Sequence, residues 1–91
     1  MKKVIEITTP TCGQCKMIAP AVVKLKKDYP GVLFEEVDGT KNTEIVNKYN
    51  ITKVPVFIII NDDGTEDIIS NGSVVKLKKL LENATVWRKE I

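Results

Sequence analysis

The 91-residue sequence contains no histidine and only two cysteines, Cys12 and Cys15. Without histidine, the chain cannot supply a Ser–His–Asp triad, a Cys–His dyad or a histidine-ligated zinc site. Two cysteines also fall short of the four ligands of a structural zinc site, unless carboxylates or a second chain contribute. These absences exclude histidine-dependent catalytic and zinc sites and leave the cysteine pair as the main chemical feature.

Long apolar runs and a large net charge are absent as well. The longest apolar run, residues 54–60, is interrupted by Pro55 and is far shorter than the ~18–20 residues of a membrane span. The apolar run at residues 4–7 is short and contains Glu6, unlike a secretory signal. The net charge of +2 is too small to indicate a nucleic-acid partner. We therefore expect a cytoplasmic protein with neither a membrane nor a nucleic-acid partner.

The composition is that of one small folded domain. Hydrophobic residues make up 43% of the chain and charged residues 29%, close to the averages for soluble globular proteins. A chain of this length builds one core, and no repeat or linker interrupts it. We expect a single domain over residues 1–91, with residues 84–91 either extending the last helix or forming a tail.

Hydrophobic periodicity predicts short strands alternating with helices in the order β-α-β-α-β-β-α. Strands are expected at residues 3–8, 32–37, 55–60 and 65–70, and helices at 12–29, from 42 or 43 to 49, and from 73 onward. A helix between the first two strands predicts a parallel pair with a right-handed crossover. The turn at residues 61–64 predicts a final antiparallel hairpin. The expected fold class is therefore α/β, a four-stranded mixed sheet with helices on both faces.

The motif Cys12-Gly13-Gln14-Cys15 lies where the first strand gives way to the first helix. Unpaired backbone N–H groups and the positive end of the helix dipole favour a thiolate at Cys12, and Lys16 adds a positive charge. Cys15, one turn later, is expected to be less exposed than Cys12 and is placed to attack a mixed disulfide at Cys12. The pattern favours redox chemistry. The alternatives are inert buried thiols, metal ligation, or a structural disulfide, which so short a loop makes a poor stabiliser.

Three segments resemble the thioredoxin family. Residues 12–20, CGQCKMIAP, are similar to the family's CGPCKMIAP, with Gln14 in place of proline. Residues 48–55 resemble the family segment that ends in Ile/Val–Pro, and Asp63-Gly64 followed by Gly72 resembles the family's last hairpin and the glycine after it. The resemblance covers about residues 3–82 and lacks the family's extra N-terminal strand and helix. It implies a thioredoxin-like fold of the shorter kind shared with glutaredoxin.

The resemblance also implies roles for individual residues. Cys12 and Cys15 would be catalytic and form a redox-active disulfide. The substrate-binding residues would be Gly13, Gln14, Val54, Pro55 and Gly72. The Val54–Pro55 bond would be cis and would turn Val54 backbone groups toward the sulfurs. From the residues alone, Pro55 is only a proline that opens a strand, Gly72 a loop glycine, and Pro20 a kink in the first helix.

The sequence departs from the family pattern at several positions. Thr11 stands where the family usually has tryptophan, and the single tryptophan is Trp87. Glu6 occupies the position of the family's buried aspartate, while the usual basic partner in the next strand corresponds to Phe34. Glu6 is either buried, with a raised pKa and a catalytic role as acceptor of the Cys15 proton, or turned toward solvent.

The leading functional interpretation is a thiol-disulfide oxidoreductase that reduces protein disulfides through a Cys12/Cys15 dithiol–disulfide cycle. By resemblance it binds no cofactor itself, acts as a monomer and is reduced by an NADPH-dependent flavoprotein reductase. A glutaredoxin-like, glutathione-coupled enzyme is an alternative, although residues 61–64 and 71–72 do not match the expected glutathione element. Two non-enzymatic alternatives are a redox sensor and a metal-binding module assembled by dimerisation. The lysine clusters at residues 24–27 and 76–79 are interpreted as solvated helix faces.

Overall fold

The computed structural model describes the backbone of residues 2–90 and the side chains of residues 2–82. The strands are β1 (Lys3–Thr8), β2 (Leu33–Asp38), β3 (Val56–Ile60) and β4 (Glu66–Ile69), and the helices are α1 (Gly13–Asp28), α2 (Thr43–Lys48) and α3 (Val74–Glu90). The predicted order of elements is confirmed. Helix α3 runs to Glu90; Ile91 and the Trp87 side chain lie outside the described parts of the chain.

The four strands form one sheet in the order β2-β1-β3-β4. Strands β1 and β2 are parallel, with Lys3 opposite Leu33 and Glu6 opposite Glu36. The β1–β3 and β3–β4 pairs are antiparallel. The parallel first pair and the final hairpin are therefore confirmed. The apolar third strand is interior and the more polar fourth strand lies at an edge, as their compositions predict.

The sheet carries an apolar cluster on each face. On one face α1 and α3 pack over side chains that include Val4 and Phe57. On the other face α2 covers a second cluster; its sheet residues are Ile5, Ile7, Val56 and Ile58, with Ile45 of α2 packed against them. Side chains alternate between the faces along each strand, so Glu6 lies on the same face as Val4, beneath α1. The prediction of helices on both faces is confirmed.

Local sequence explains where the helices begin. The backbone N–H of Lys76 donates to Ser73 Oγ at 3.1 Å, so Ser73 caps α3. Asn42 precedes α2 but makes no side-chain cap; its amide donates instead to the Asp38 carbonyl at 2.9 Å. Helix α1 runs unbroken past Pro20, and the kink there stays a prediction. None of the helices in the described part of the chain has the length and apolar character of a bilayer-spanning segment.

Candidate functional site

Cys12 and Cys15 form a disulfide at the start of α1. Cys12 is the N-cap residue of the helix, in an extended conformation, and its Sγ accepts a hydrogen bond from the Cys15 backbone N–H at 3.0 Å. A side-chain acceptor at this position satisfies one of the free N–H groups of the first turn. The same N–H is placed to stabilise a Cys12 thiolate after reduction, because it already points at the sulfur.

The two cysteines differ in their exposure. Cys15 is only 7% exposed and belongs to the core, whereas Cys12 is half-buried. The helix places Cys15 one turn inward, so an incoming disulfide meets Cys12 first. This asymmetry is the one that the sequence predicted from the spacing of the motif.

The loop before β3 passes close to the disulfide. The Val54–Pro55 peptide bond is cis, and the Val54 carbonyl oxygen lies 3.8 Å from Cys12 Sγ. Pro55 is fully buried. The structure therefore brings Val54 and Pro55 beside Cys12, as the resemblance implied.

Gly72 packs against Pro55 at a position with no room for a side chain. Its φ angle is +68°, a region that side chains with a Cβ rarely adopt. A Cβ added at Gly72 would overlap Pro55 Cγ and lie 3.4 Å from Gln14 Nε2. The glycine thus lets three loops converge at the disulfide: the CGQC turn, the Val54–Pro55 loop and the loop before α3.

Gln14 joins two of these loops directly. Its side-chain amide donates to the Asn71 carbonyl at 3.2 Å. Gly13, by contrast, is exposed and has open space where a Cβ would stand. The five residues expected to bind substrate therefore lie around Cys12.

Glu6 is buried on the α1 face of the sheet, with 7% of its surface exposed. Burial raises the pKa of its carboxyl above the ordinary value of 4.5, and the negative charge of Glu36 raises it further, while Lys26 opposes the change. Of the two alternatives that the sequence left open, the structure shows the buried one. Phe34, aligned with the family's basic partner, instead lies opposite Val4 and packs against the core.

Glu36 was not singled out from the sequence. It lies opposite Glu6 across β1 and β2, and its Oε2 accepts a hydrogen bond from Thr8 Oγ1 at 3.4 Å. Thr8, Cys15 and Glu36 line one cavity of about 410 Å³. The apolar residues on either side of Glu6 in β1 predict that it is buried, but only the register with β2 shows which acid lies opposite Glu6.

The described residues contain no group of three or more cysteine and carboxylate side chains arranged to hold a metal ion. The chemistry that this arrangement supports is thiol–disulfide exchange. It combines an outward sulfur at a helix N-terminus, an inward sulfur one turn away and backbone groups beside them.

Comparison with known proteins agrees with this geometry. The sequence model of the family described as Thioredoxin matches residues 1–85. The chain belongs to the thioredoxin family. An H-type thioredoxin of Chlamydomonas reinhardtii is 37% identical over 79 residues, which cover 86% of this chain and 70% of that protein. The mitochondrial thioredoxin O1 of Arabidopsis thaliana is 35% identical over 86 residues, 90% of this chain and 43% of the relative.

Solved structures confirm the thioredoxin-like fold. Fasciola hepatica thioredoxin superposes with a TM-score of 0.81 at 36% identity, over 90% of this chain and 79% of that one. Oxidised mitochondrial thioredoxin 3 of Saccharomyces cerevisiae superposes with a TM-score of 0.82 at 30% identity, over 90% of this chain and 77% of that one. The coverage is smaller for some curated relatives: the chain spans 52% of an H-type thioredoxin of Oryza sativa subsp. indica and 43% of the Arabidopsis protein.

Proposed function

We propose that the protein is a thiol-disulfide oxidoreductase that reduces disulfide bonds in other proteins. The observation that carries this proposal is the asymmetric pair at the start of α1, with Cys12 partly exposed and Cys15 7% exposed behind it. Membership of the thioredoxin family supports the same activity. A structural disulfide would need neither the difference in exposure nor the position at a helix N-terminus.

In the first step the Cys12 thiolate attacks one sulfur of the substrate disulfide. A bond forms between Cys12 Sγ and that sulfur, the substrate S–S bond breaks, and the second substrate sulfur leaves as a thiolate and takes a proton from water. The Cys15 N–H, which points at Cys12 Sγ at 3.0 Å, stabilises the attacking thiolate. The product of this step is a mixed disulfide.

In the second step Cys15 resolves the mixed disulfide. Its thiol loses a proton, its sulfur attacks Cys12 Sγ, and the bond from Cys12 to the substrate breaks. The substrate sulfur leaves as a thiolate and takes a proton from water. The substrate has then gained two electrons and the protein has lost two. We assign the Cys15 proton to Glu6, because that carboxylate is buried on the same side of the sheet as α1 and its raised pKa makes it a stronger base than an exposed acid.

Substrate recognition is assigned to the backbone beside Cys12. The Val54 carbonyl lies 3.8 Å from Cys12 Sγ, and Gly72 leaves no side chain between that loop and Gln14. An extended substrate segment next to its own cysteine fits such a surface by pairing with the Val54 backbone. Gly13, Gln14, Pro55 and Gly72 form the remaining walls.

The oxidised protein must be reduced to act again. We assign this step to an NADPH-dependent flavoprotein reductase, in keeping with the family, and place the protein as a monomer in the cytoplasm, where thiols are kept reduced. The relatives include a mitochondrial thioredoxin, so fractionation of the native cells tests the compartment. No cofactor of its own is required for the cycle, since both electrons reside on the two sulfurs.

The activity is tested by reduction of insulin disulfides under NADPH with a thioredoxin reductase, and separately with glutathione and glutathione reductase. We expect turnover in the first system. Cys12→Ser abolishes it, whereas Cys15→Ser traps substrate as a mixed disulfide that mass spectrometry detects. Turnover only with glutathione identifies the glutaredoxin-like alternative. Absence of turnover in both systems contradicts the proposal and favours a redox sensor.

A further inference from the structure

Two carboxylates face each other beneath α1. Glu6 of β1 and Glu36 of β2 are direct partners in the parallel register. Adjacent strands lie about 4.8 Å apart, and like charges placed opposite each other on one face are destabilising. Phe34, two positions before Glu36, packs into the cluster under α1, so Glu36 lies on that face as well. The described chain therefore maintains an unfavourable arrangement directly below the α1 helix.

The pair is connected to Cys15. Glu36 is exposed and receives the Thr8 hydroxyl hydrogen bond at 3.4 Å. Glu36, Thr8 and Cys15 line the same cavity of about 410 Å³. Glu6 is only 7% exposed. Glu6 is thus two residues before Thr8 on the same face of β1, and Glu36 is in the wall of the cavity that Thr8 and Cys15 also line.

The charges around Glu6 come from two elements. Glu36 of β2 raises the pKa of the Glu6 carboxyl and Lys26 of α1 lowers it, while burial has the largest effect and raises it. On its other side β3 places Phe57, which is uncharged, opposite Glu6. Lys16 and Asp38 line the cavity farther out. A neighbouring negative charge favours the protonated form of the Glu6 carboxyl.

We propose that Glu36 is a positioning residue for the resolving step, acting through Glu6: the two acids form a carboxylate pair that takes up the proton released by Cys15 and returns it to water through the cavity. This inference rests on the proposed function. The proton leaves Cys15 Sγ for the Glu6 carboxylate, and the sulfur electron pair forms the bond to Cys12. The negative charge of Glu36 favours the protonated form of Glu6, and the exposed Glu36 carboxylate marks where the proton passes to solvent.

The first test measures the Glu6 titration by carboxyl-carbon NMR of the reduced protein, which needs no activity. Glu36→Gln should lower the Glu6 midpoint by about half to one pH unit, because a neighbouring negative charge is lost. Glu35→Gln is the matched control: Glu35 is the preceding residue of β2, on the other face, and binds Lys3 at 2.8 Å. We expect no shift with Glu35→Gln. Equal Glu6 midpoints in wild type and Glu36→Gln overturn the inference.

The second test follows release of substrate thiol from a preformed mixed disulfide as a function of pH. Glu36→Gln should move the inflection of the rate–pH profile to lower pH. It should also lower the plateau rate several-fold, because Glu6 becomes a weaker base. In a Glu6→Gln background the same substitution should change neither quantity, because Glu36 acts through Glu6. An equal effect in both backgrounds overturns the inference. Failure of Cys15→Ser to trap a mixed disulfide would reject the proposed function, while the NMR titration would still decide the carboxylate pair.

Discussion

Glu6 is the one charged side chain among the buried residues of the described chain. Its pKa in the folded protein lies above the ordinary value of 4.5, chiefly because of burial. In the interval between these two values the folded state binds more protons than the unfolded state. The free energy of unfolding therefore falls as the pH rises through that interval. Above the interval, the buried charge lowers the free energy of unfolding by a constant amount.

Replacing Glu6 with glutamine removes this cost. Above the raised pKa we expect Glu6→Gln to increase the free energy of unfolding of the reduced protein by about 1–3 kcal/mol. The loss of stability above pH 4.5 that ionisation of Glu6 causes should disappear in this variant. Resolution of the mixed disulfide should slow by about 10²-fold if Glu6 is the proton acceptor.

Urea unfolding across the pH range, paired with the resolution rate, measures both effects. Glu35→Gln serves again as the control, since it removes an exposed carboxylate from the other face of β2. A loss of stability in Glu6→Gln would indicate a structural role for the carboxylate. An unchanged resolution rate would show that another group takes the proton.

The backbone conformation and the close packing at Gly72 both disfavour a side chain at this position. We expect Gly72→Ala to lower the free energy of unfolding by about 1–3 kcal/mol, because alanine disfavours a φ of +68° and its Cβ overlaps Pro55. Gly31→Ala, at a position with open space around it, should change stability by less than about 1 kcal/mol. Equal effects of the two substitutions in thermal or urea unfolding would contradict this account.

At the scale of the elements, most of the architecture could be predicted because it depends on local patterns. The spacing of apolar residues marks β1 and α1, the uninterrupted run at β3 marks an interior strand, and Ser73 marks the start of α3. Contacts between distant residues could not be predicted in this way. The Gln14–Asn71 hydrogen bond joins positions 57 residues apart, and the Glu6–Glu36 pairing depends on a register that neither strand specifies alone.

The residue opposite Glu6 was not predicted from the sequence. The resemblance placed the family's basic partner at Phe34, two residues before Glu36, which lies opposite Glu6 in the sheet. Because side chains alternate along a strand, both positions face α1, and the sequence offers no means to choose between them. The position and asymmetry of Cys12 and Cys15, by contrast, follow from one helical turn and could be predicted.

The cap of α3 provides a test at this scale. Ser73→Ala removes the acceptor of the Lys76 N–H hydrogen bond and should cost about 1 kcal/mol of stability. Ser70→Ala, at an exposed position just after β4, should have little effect. Chemical denaturation of both variants measures the difference, and a Ser73→Ala protein as stable as Ser70→Ala would show that the cap is unimportant.

For the molecule as a whole, the disulfide is a minor source of stability. It joins residues three positions apart, so it removes little entropy from the unfolded chain, equivalent to about 2 kcal/mol at most. The apolar clusters on both faces of the sheet do not depend on it. Both redox states should therefore be folded.

We expect dithiothreitol to lower the urea midpoint modestly without altering the dependence of unfolding free energy on urea concentration. Circular dichroism and urea titrations of the oxidised and reduced protein test this expectation. Cys12→Ser in the absence of reductant is a control that also lacks the bond, and it should resemble the reduced wild type. Loss of cooperative unfolding on reduction would show that the disulfide maintains the fold.

The position of β1 inside the sheet has a consequence for synthesis. Its partners in β2 are 30 positions away, and its partners in β3 are 49 to 57 positions away, so the sheet closes late. Cys12 and Cys15 precede Val54 and Gly72 by about 40 and 60 residues, which at ribosomal rates corresponds to several seconds. During that interval the nascent dithiol has no surrounding loops to select its partners. Any oxidant that meets the growing chain then reacts with two ordinary thiols.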